Sequence, residues 1–352
     1  MWLTIVSFLA VLFILVLVHE LGHFLTARLF HVKVEEFGLG FPPRLWGIKR
    51  GGTIYSLNAV PFGGFVKLAG EEDPSVSGSL ASKPAGVRIT VLSAGVIMNA
   101  LLPILLFSIA FLVPHNVVSG DVVVQDVAPQ SPAGQAGIVA GERIISIDGR
   151  TVRNISDLQR AIQLKLGQKI DIILQKDNGA VTTVSVVPRW RTPTNQGATG
   201  IMVGLENPAL VRESFPFWRA IPMGVGECLE TFVLFKNVII SMIIGAAPLV
   251  IAGPVGVAQL TGEVARAGIG PLLEFAAFFS INLAIINFFP LPALDGGRIA
   301  FVVLEWLRRG KRVSPRVEGM IHTIGFFLLL TAMLLFTYQD IARIMAGESL
   351  IP

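Results

Sequence analysis

From Trp2 to Val18 the chain carries no charged side chain, and then two imidazoles and a carboxylate arrive together as His19-Glu20-Leu21-Gly22-His23. About 20 apolar residues are needed to cross a bilayer as a helix, so residues 2–24 read as a first membrane span with the histidines inside or just at its boundary. Ionisable groups are costly there and usually functional. The stretch reads as a retained span rather than a cleavable leader: it lacks a basic start, no small-residue cleavage site follows, and cleavage would discard the histidines. Composition agrees with a lipid environment. Of 352 residues, 53% are hydrophobic and 15% charged, with a mean hydropathy of +0.69. That is too apolar for an ordinary soluble protein but leaves room for one modest soluble domain. Cys228 is the single cysteine, which excludes an internal disulfide and a cysteine-based zinc site. The net charge of +4 calls for no nucleic-acid partner, because membrane proteins carry excess Lys and Arg in cytoplasmic loops.

On a helix, His19 and His23 stand one turn apart and point the same way, as two nitrogen ligands of one zinc ion must. Glu20, one position on, can reach a metal-bound water without being a ligand. This is the H-E-x-x-H pattern of zinc hydrolases, in which the carboxylate is the general base. Buried histidines bonded to neighbouring helices are the bland alternative; that suits one His better than the whole pattern.

Beyond His31 the chain turns polar and glycine-rich to about Arg88. Lys33, Arg44, Lys49, Arg50, Lys67, Lys83 and Arg88 place it on the cytoplasmic side. Within it, residues 53–68 read as two short strands about a Pro61–Gly64 turn. The hairpin is apolar enough to dip into the bilayer, where irregular backbone is tolerated only under a cover of protein or water. Ile89–Val113 is a second span containing Asn99 and Pro103; Asn99 either bonds to a neighbouring helix or lines the site.

Val117 to about Glu206 is the soluble island. A strand at Val122–Val127, a short helix after Ser131, a strand and turn over Glu142–Gly149 and an amphipathic helix over Ser156–Lys165 are expected. A hairpin of Lys169–Gln175 with Val181–Val187 closes around Asp177-Asn-Gly179. Phe232–Ile251 is long enough to span but is interrupted by Lys236, Asn237, Gly245 and Pro248. Gly253–Gly262 reads as a structured loop, Leu272–Phe289 as a third span and Ile321–Tyr338 as the last.

A catalytic zinc takes a third protein ligand and leaves the fourth position to water. Asp295 is favoured, because Pro290 and Pro292 break the helix before it and two glycines follow; His322 is the alternative. Topology agrees with Asp295. If the first span runs inward, the island lies outside, and Asp295 returns to the cytoplasmic side only if Leu272–Phe289 crosses and Phe232–Ile251 does not. The latter then lies at the outer face as amphipathic helix, and the basic loop after Asp295 falls on the cytoplasmic side.

The constellation resembles the site-2 protease family of intramembrane metalloproteases, in its bacterial regulator-of-sigma-E branch. His19-Glu20-Leu-Gly-His23 matches the first family motif and Asn287-x-x-Pro290-x-Pro292-x-Leu-Asp295-Gly-Gly the second. Ala94–Asn99, Pro61–Lys67 and Gly253–Gly256 are similar to further family segments. Ser-Pro-Ala…Ala-Gly-Ile…Gly-Glu-Arg-Ile…Ile-Asp-Gly resembles a bacterial-protease PDZ domain, here single where some relatives carry two. The resemblance implies an α-helical integral membrane protein of about four transmembrane helices with a membrane re-entrant β-hairpin, plus one soluble α+β PDZ-like domain. Its parts would be 1–115 (first two spans and hairpin), 116–206 (PDZ-like), 207–270 (membrane-associated) and 271–352 (C-terminal membrane part). It implies zinc on His19, His23 and Asp295, with Glu20 as base. Asn287, Pro290 and Pro292, and the hairpin residues Tyr55, Phe62, Gly63, Gly64 and Phe65, would bind a transmembrane substrate in extended form. Substrates would be single-span membrane proteins trimmed first by another protease, anti-sigma factors or remnant signal peptides. The setting would be the bacterial inner membrane, with the active site near the cytoplasmic face and the PDZ-like domain outside. The rival reading is a membrane-anchored PDZ scaffold with a structural or vestigial metal site; Glu20 argues against it, since a structural zinc needs no base.

Overall fold

The computed structural model describes residues 2–176, 178–247 and 252–347, apart from the side chain of Phe62. Asp177 of the expected hairpin turn, and Pro248 with the end of the 232–251 stretch, lie outside the described residues. In chain order the elements are α1 (Trp2–Leu29), β1 (Val34–Arg50), β2 (Thr53–Leu68), α2 (Ala85–Leu112), β3 (His115–Val127), α3 (Pro132–Gln135), β4 (Arg143–Ile147), β5 (Arg150–Thr151), α4 (Ile155–Leu164), β6 (Ile170–Gln175), β7 (Val181–Val186), β8 (Ile201–Glu213), α5 (Phe217–Ile243), α6 (Pro254–Ala267), α7 (Ile269–Phe288), α8 (Asp295–Leu307) and α9 (Pro315–Met345). They divide into two units, the first of residues 2–110, 220–225 and 252–347, the second of 111–219 and 226–247.

In the first unit, α1, α2, α7 and α9 are, among the described residues, the four helices long and apolar enough to cross a membrane. Their surfaces fit that solvent. Phe326, Phe327, Leu328, Leu334 and Leu335 of α9 all stand more than half exposed, a cost of about 25 cal/mol per Å² in water that lipid removes. Small residues let α1 and α2 approach closely, as membrane helices do: a Cβ on Gly22 would sit 2.5 Å from the Ala94 carbonyl oxygen. Ala27, Val32, Val34, Leu68, Val91 and Val302 form one buried cluster that ties the end of α1 to the sheet, to α2 and to α8.

The β-structure of this unit departs from the sequence reading. β1, unrecognised in the sequence, pairs with β2 from Val34↔Leu68 to Arg50↔Thr53 with repeated irregularities. Residues 36–39 have partners twice, 64–67 on one side and 54–57 on the other. The two halves of 53–68 therefore flank β1 rather than closing on each other about Pro61–Gly64. Gly253–Gly262 is likewise no loop but the first turns of α6, with Gly253 as N-cap and Pro254 in the first turn, where its missing N–H costs nothing. Asp340 of α9 accepts a hydrogen bond from Gly256 N–H at 2.7 Å, which satisfies one of the free donors of that helix start.

The second unit is built on a six-stranded sheet ordered β7-β6-β4-β3-β8, with β5 paired to β4. Inward residues Val122, Val124, Ile144, Ile147, Ile170, Ile172 and Leu174 meet Leu158 and Ile162 of α4 in one core. Asn154 caps α4 by accepting from Asp157 N–H at 2.8 Å, the local reason the helix begins there. β6 and β7 pair from Ile170↔Val186 to Gln175↔Val181. β8 runs to Glu213, past residue 206. Polar residues of α5 are used inside this unit. Asn237 donates to the Gln163 carbonyl at 2.7 Å, Arg160 pairs with Glu227 and Glu230, and Lys236 lines a cavity of about 310 Å³ with Arg150 and Glu230.

Candidate metal centre

His19 and His23 lie on α1, 8% exposed each, one turn apart as the spacing predicts. Asp295 is the first residue of α8. Its placement follows from the residues around it. A Cβ on Gly296 would lie 2.2 Å from the Phe289 carbonyl oxygen, and one on Gly297 would lie 2.3 Å from that of Leu291. Only glycines let the chain fold back so tightly over the helix start. Ala293 takes φ +74° in the same turn.

The three side chains converge. His19 Nε2 is 3.0 Å and His23 Nε2 is 3.3 Å from Asp295 Oδ2, and the two Nε2 atoms are 3.2 Å apart. Two ligand bonds of about 2.0–2.1 Å in tetrahedral zinc geometry span about 3.3 Å, so the triangle has the size of a three-ligand face. Asp295 Oδ2 is buried with no hydrogen-bond partner among the described residues. Three electron-rich atoms held this near one another need a shared proton or a metal ion among them. α2 leaves the room: a Cβ on Gly95 would sit 2.4 Å from His23 Nε2 and 2.8 Å from His19 Nε2. His23 Nδ1 is 2.8 Å from the Val91 carbonyl. Its N–H donates there, which leaves the Nε2 lone pair for a metal. The donor set, two imidazole nitrogens and a carboxylate oxygen, suits zinc with a position left open.

Glu20 stands outside this cluster of three. Its Oε2 accepts from Val66 N–H at 2.9 Å, so β2 holds the carboxylate beside the site. Gly63 and Gly64 lie at the same place. A Cβ on Gly63 would strike Val16 of α1 at 2.7 Å, and one on Gly64 would lie 3.9 Å from Glu20 Cγ. Tyr55 packs instead against Phe24 and Phe37, and Phe65 stacks on Phe41 with ring centres 6.3 Å apart. The side chain of Phe62 is outside the described residues. Asn287 is half-buried in the last turn of α7, and among the described residues no hydrogen bond joins it to the cluster. Pro290 and Pro292 line an apolar cavity of about 270 Å³ with Phe301 and Ile321.

His322, the alternative third ligand, is not in the cluster. Its Nδ1 accepts from Ala293 N–H at 2.9 Å, which fixes the turn leading into Asp295. The sequence reading missed this role, along with the Val91 carbonyl and the Val66 N–H. The last two are backbone groups, which no residue type announces.

The comparisons with known proteins point the same way. The family model described as peptidase family M50 matches residues 7–332. A Clostridium perfringens protein provisionally named a zinc metalloprotease is 35% identical over 334 residues, covering 93% of this chain and 95% of its own. A similarly named protein of Rhizobium meliloti is 31% identical, covering 96% of each chain. The zinc metalloprotease RasP of Geobacillus kaustophilus is 28% identical, covering 97% of this chain and 98% of its own.

Proposed function

Because the chain belongs to peptidase family M50, the site-2 proteases, and is thus a membrane zinc metalloprotease, we propose that His19, His23 and Asp295 hold its zinc and Glu20 is its general base. The observation that carries this is the triangle of donor atoms 3.0–3.3 Å on a side, with a carboxylate beside it that is not one of the three. The chemistry zinc supplies at such a site is Lewis acidity, which acidifies water and polarises a peptide carbonyl.

The residues of the chain do the rest. Glu20 takes a proton at Oε1 and returns it to the leaving amine; the Val66 N–H holds Oε2 in place. The substrate is the transmembrane segment of a single-span membrane protein, of the anti-sigma-factor or remnant-signal-peptide kind, cut in regulated intramembrane proteolysis. As a helix its carbonyls are screened, so it must be extended before attack. The 63–65 stretch of β2, which lies against α1 beside Glu20, offers an edge along which an extended chain can be held. In this reading Tyr55, Phe62, Gly63, Gly64 and Phe65 bind the extended substrate, together with Asn287, Pro290 and Pro292. The second unit is a PDZ-like domain that bars substrates whose outer domain is still intact. In this reading it lies outside the inner membrane of a bacterium, with the zinc site near the cytoplasmic face and α5 at the outer interface.

The test is cleavage of a tagged single-span substrate by detergent-purified protein, wild type against Glu20→Gln, with zinc assayed in both. Glu20→Gln should keep its zinc and lose roughly 10²–10⁴-fold in rate. If wild type binds zinc and cuts none of several pre-trimmed substrates, the scaffold reading takes its place.

A further inference from the structure

The second span carries a polar residue that the proposed mechanism leaves unused. Asn99 is 1% exposed, and its Nδ2 lies 3.4 Å from His19 Nδ1. Its Oδ1 is buried with no partner among the described residues. With His19 a zinc ligand through Nε2, this pairing is mismatched. An amide N–H facing Nδ1 requires a lone pair there and puts the ring proton on Nε2, the atom that points at His23 and Asp295. The two ends of a carboxamide are nearly alike in shape and exchange by a half-turn about the last bond. That half-turn cures both faults at once: Oδ1 gains a donor, and His19 keeps its proton on Nδ1, leaving Nε2 free.

The position in the helix supports the same assignment. Val91, Gly95 and Asn99 are spaced by four, so α2 lays them along one stripe. The first orients His23 through its carbonyl, and the second leaves space for both rings. The third faces the far nitrogen of His19. The stripe is itself anchored, since the Asn99 carbonyl accepts from Ser280 Oγ of α7 at 2.8 Å.

We propose that Asn99 is a positioning residue whose amide oxygen accepts the Nδ1 proton of His19 and so fixes Nε2 as the metal-facing nitrogen. This rests on the reading of His19 as a zinc ligand. Such partners of ligating histidines typically account for 10–100-fold in metal affinity.

The experiment measures zinc affinity of the full-length, detergent-purified protein by competition with a chelator of known affinity. Wild type is compared with Asn99→Leu, Asn99→Asp and His19→Ala. The expected result is a 10–100-fold weaker affinity in Asn99→Leu, with Asn99→Asp at or above wild type because a carboxylate is an acceptor only. Thermal unfolding of the chelator-stripped proteins separates packing from orientation, and stripped Asn99→Leu should melt with stripped wild type. Unchanged zinc affinity in Asn99→Leu, equal loss in Asn99→Asp, or a stripped Asn99→Leu that melts far below wild type would each overturn the proposal. Failure of the ligand assignment itself shows separately, as a His19→Ala variant that binds zinc like wild type.

Discussion

Gly95 shows how much of the centre depends on what a residue lacks. Its Cβ would lie 2.4 Å from His23 Nε2, a distance that no repacking of a helix backbone absorbs. Gly95→Ala should therefore purify folded but without zinc and without activity. Gly86→Ala, where nothing lies within 4 Å on the same helix, should keep both; metal analysis of the two variants decides it. His19, Glu20 and His23 were legible in the sequence because their geometry is local, a single helical turn. Asp295 was legible because prolines and glycines betray a forced turn. The Val91 carbonyl and the Val66 N–H were not, since backbone groups contribute to a site without changing the sequence, and the role of His322 depends on a turn from another element.

At the scale of elements, the helices were easier to read than the sheet. Each apolar run became a helix because a bilayer allows little else, whereas Val34–Arg50 holds Gly38, Gly40, Pro42, Pro43 and Gly47, which hide a strand. α8 offers an element-scale test. Glu305 pairs with Arg88 of α2 and with Arg312 at 2.9 Å, which tethers the helix that begins at Asp295. Burial alone would raise its carboxyl, but the hydrogen bonds and charges of Arg88 and Arg312 outweigh that and hold it below its usual range. A carboxyl lowered on folding stabilises above its unfolded value, about 4.3, and loses that contribution as pH falls through the folded value. Glu305→Gln should therefore lower Tm near neutral pH by roughly 2–4 °C. The gap from wild type should close as the pH of the melt is taken below about 4; a gap that widens on acidification would contradict the pairing.

For the whole molecule, the orientation proposed above puts the loop after α8 on the cytoplasmic side and the sheet domain outside, with the four apolar helices found among the described residues as the crossings. Asn195 and Arg309 are both exposed, one in each place. In a Cys228→Ser background, an impermeant thiol reagent applied to intact spheroplasts should label Asn195→Cys and spare Arg309→Cys. Labelling of Arg309→Cys would reverse the orientation. The sequence indicated the four helices long and apolar enough to cross because hydropathy acts over whole segments. It left α5 ambiguous because the polar residues of that helix, Asn237 and Glu230 among them, are spent on α4 and β5, partners visible only in the fold.

The central claim is that one zinc is held by two imidazoles and one carboxylate drawn from α1 and α8, and X-ray absorption at the zinc edge of the purified full-length protein tests it most directly. The account predicts one zinc per chain in a shell of nitrogen and oxygen at about 2.0–2.2 Å, with the scattering of two imidazole rings in wild type and of one in His23→Ala. A wild-type spectrum with a single imidazole, or one left unchanged by His23→Ala, would contradict it.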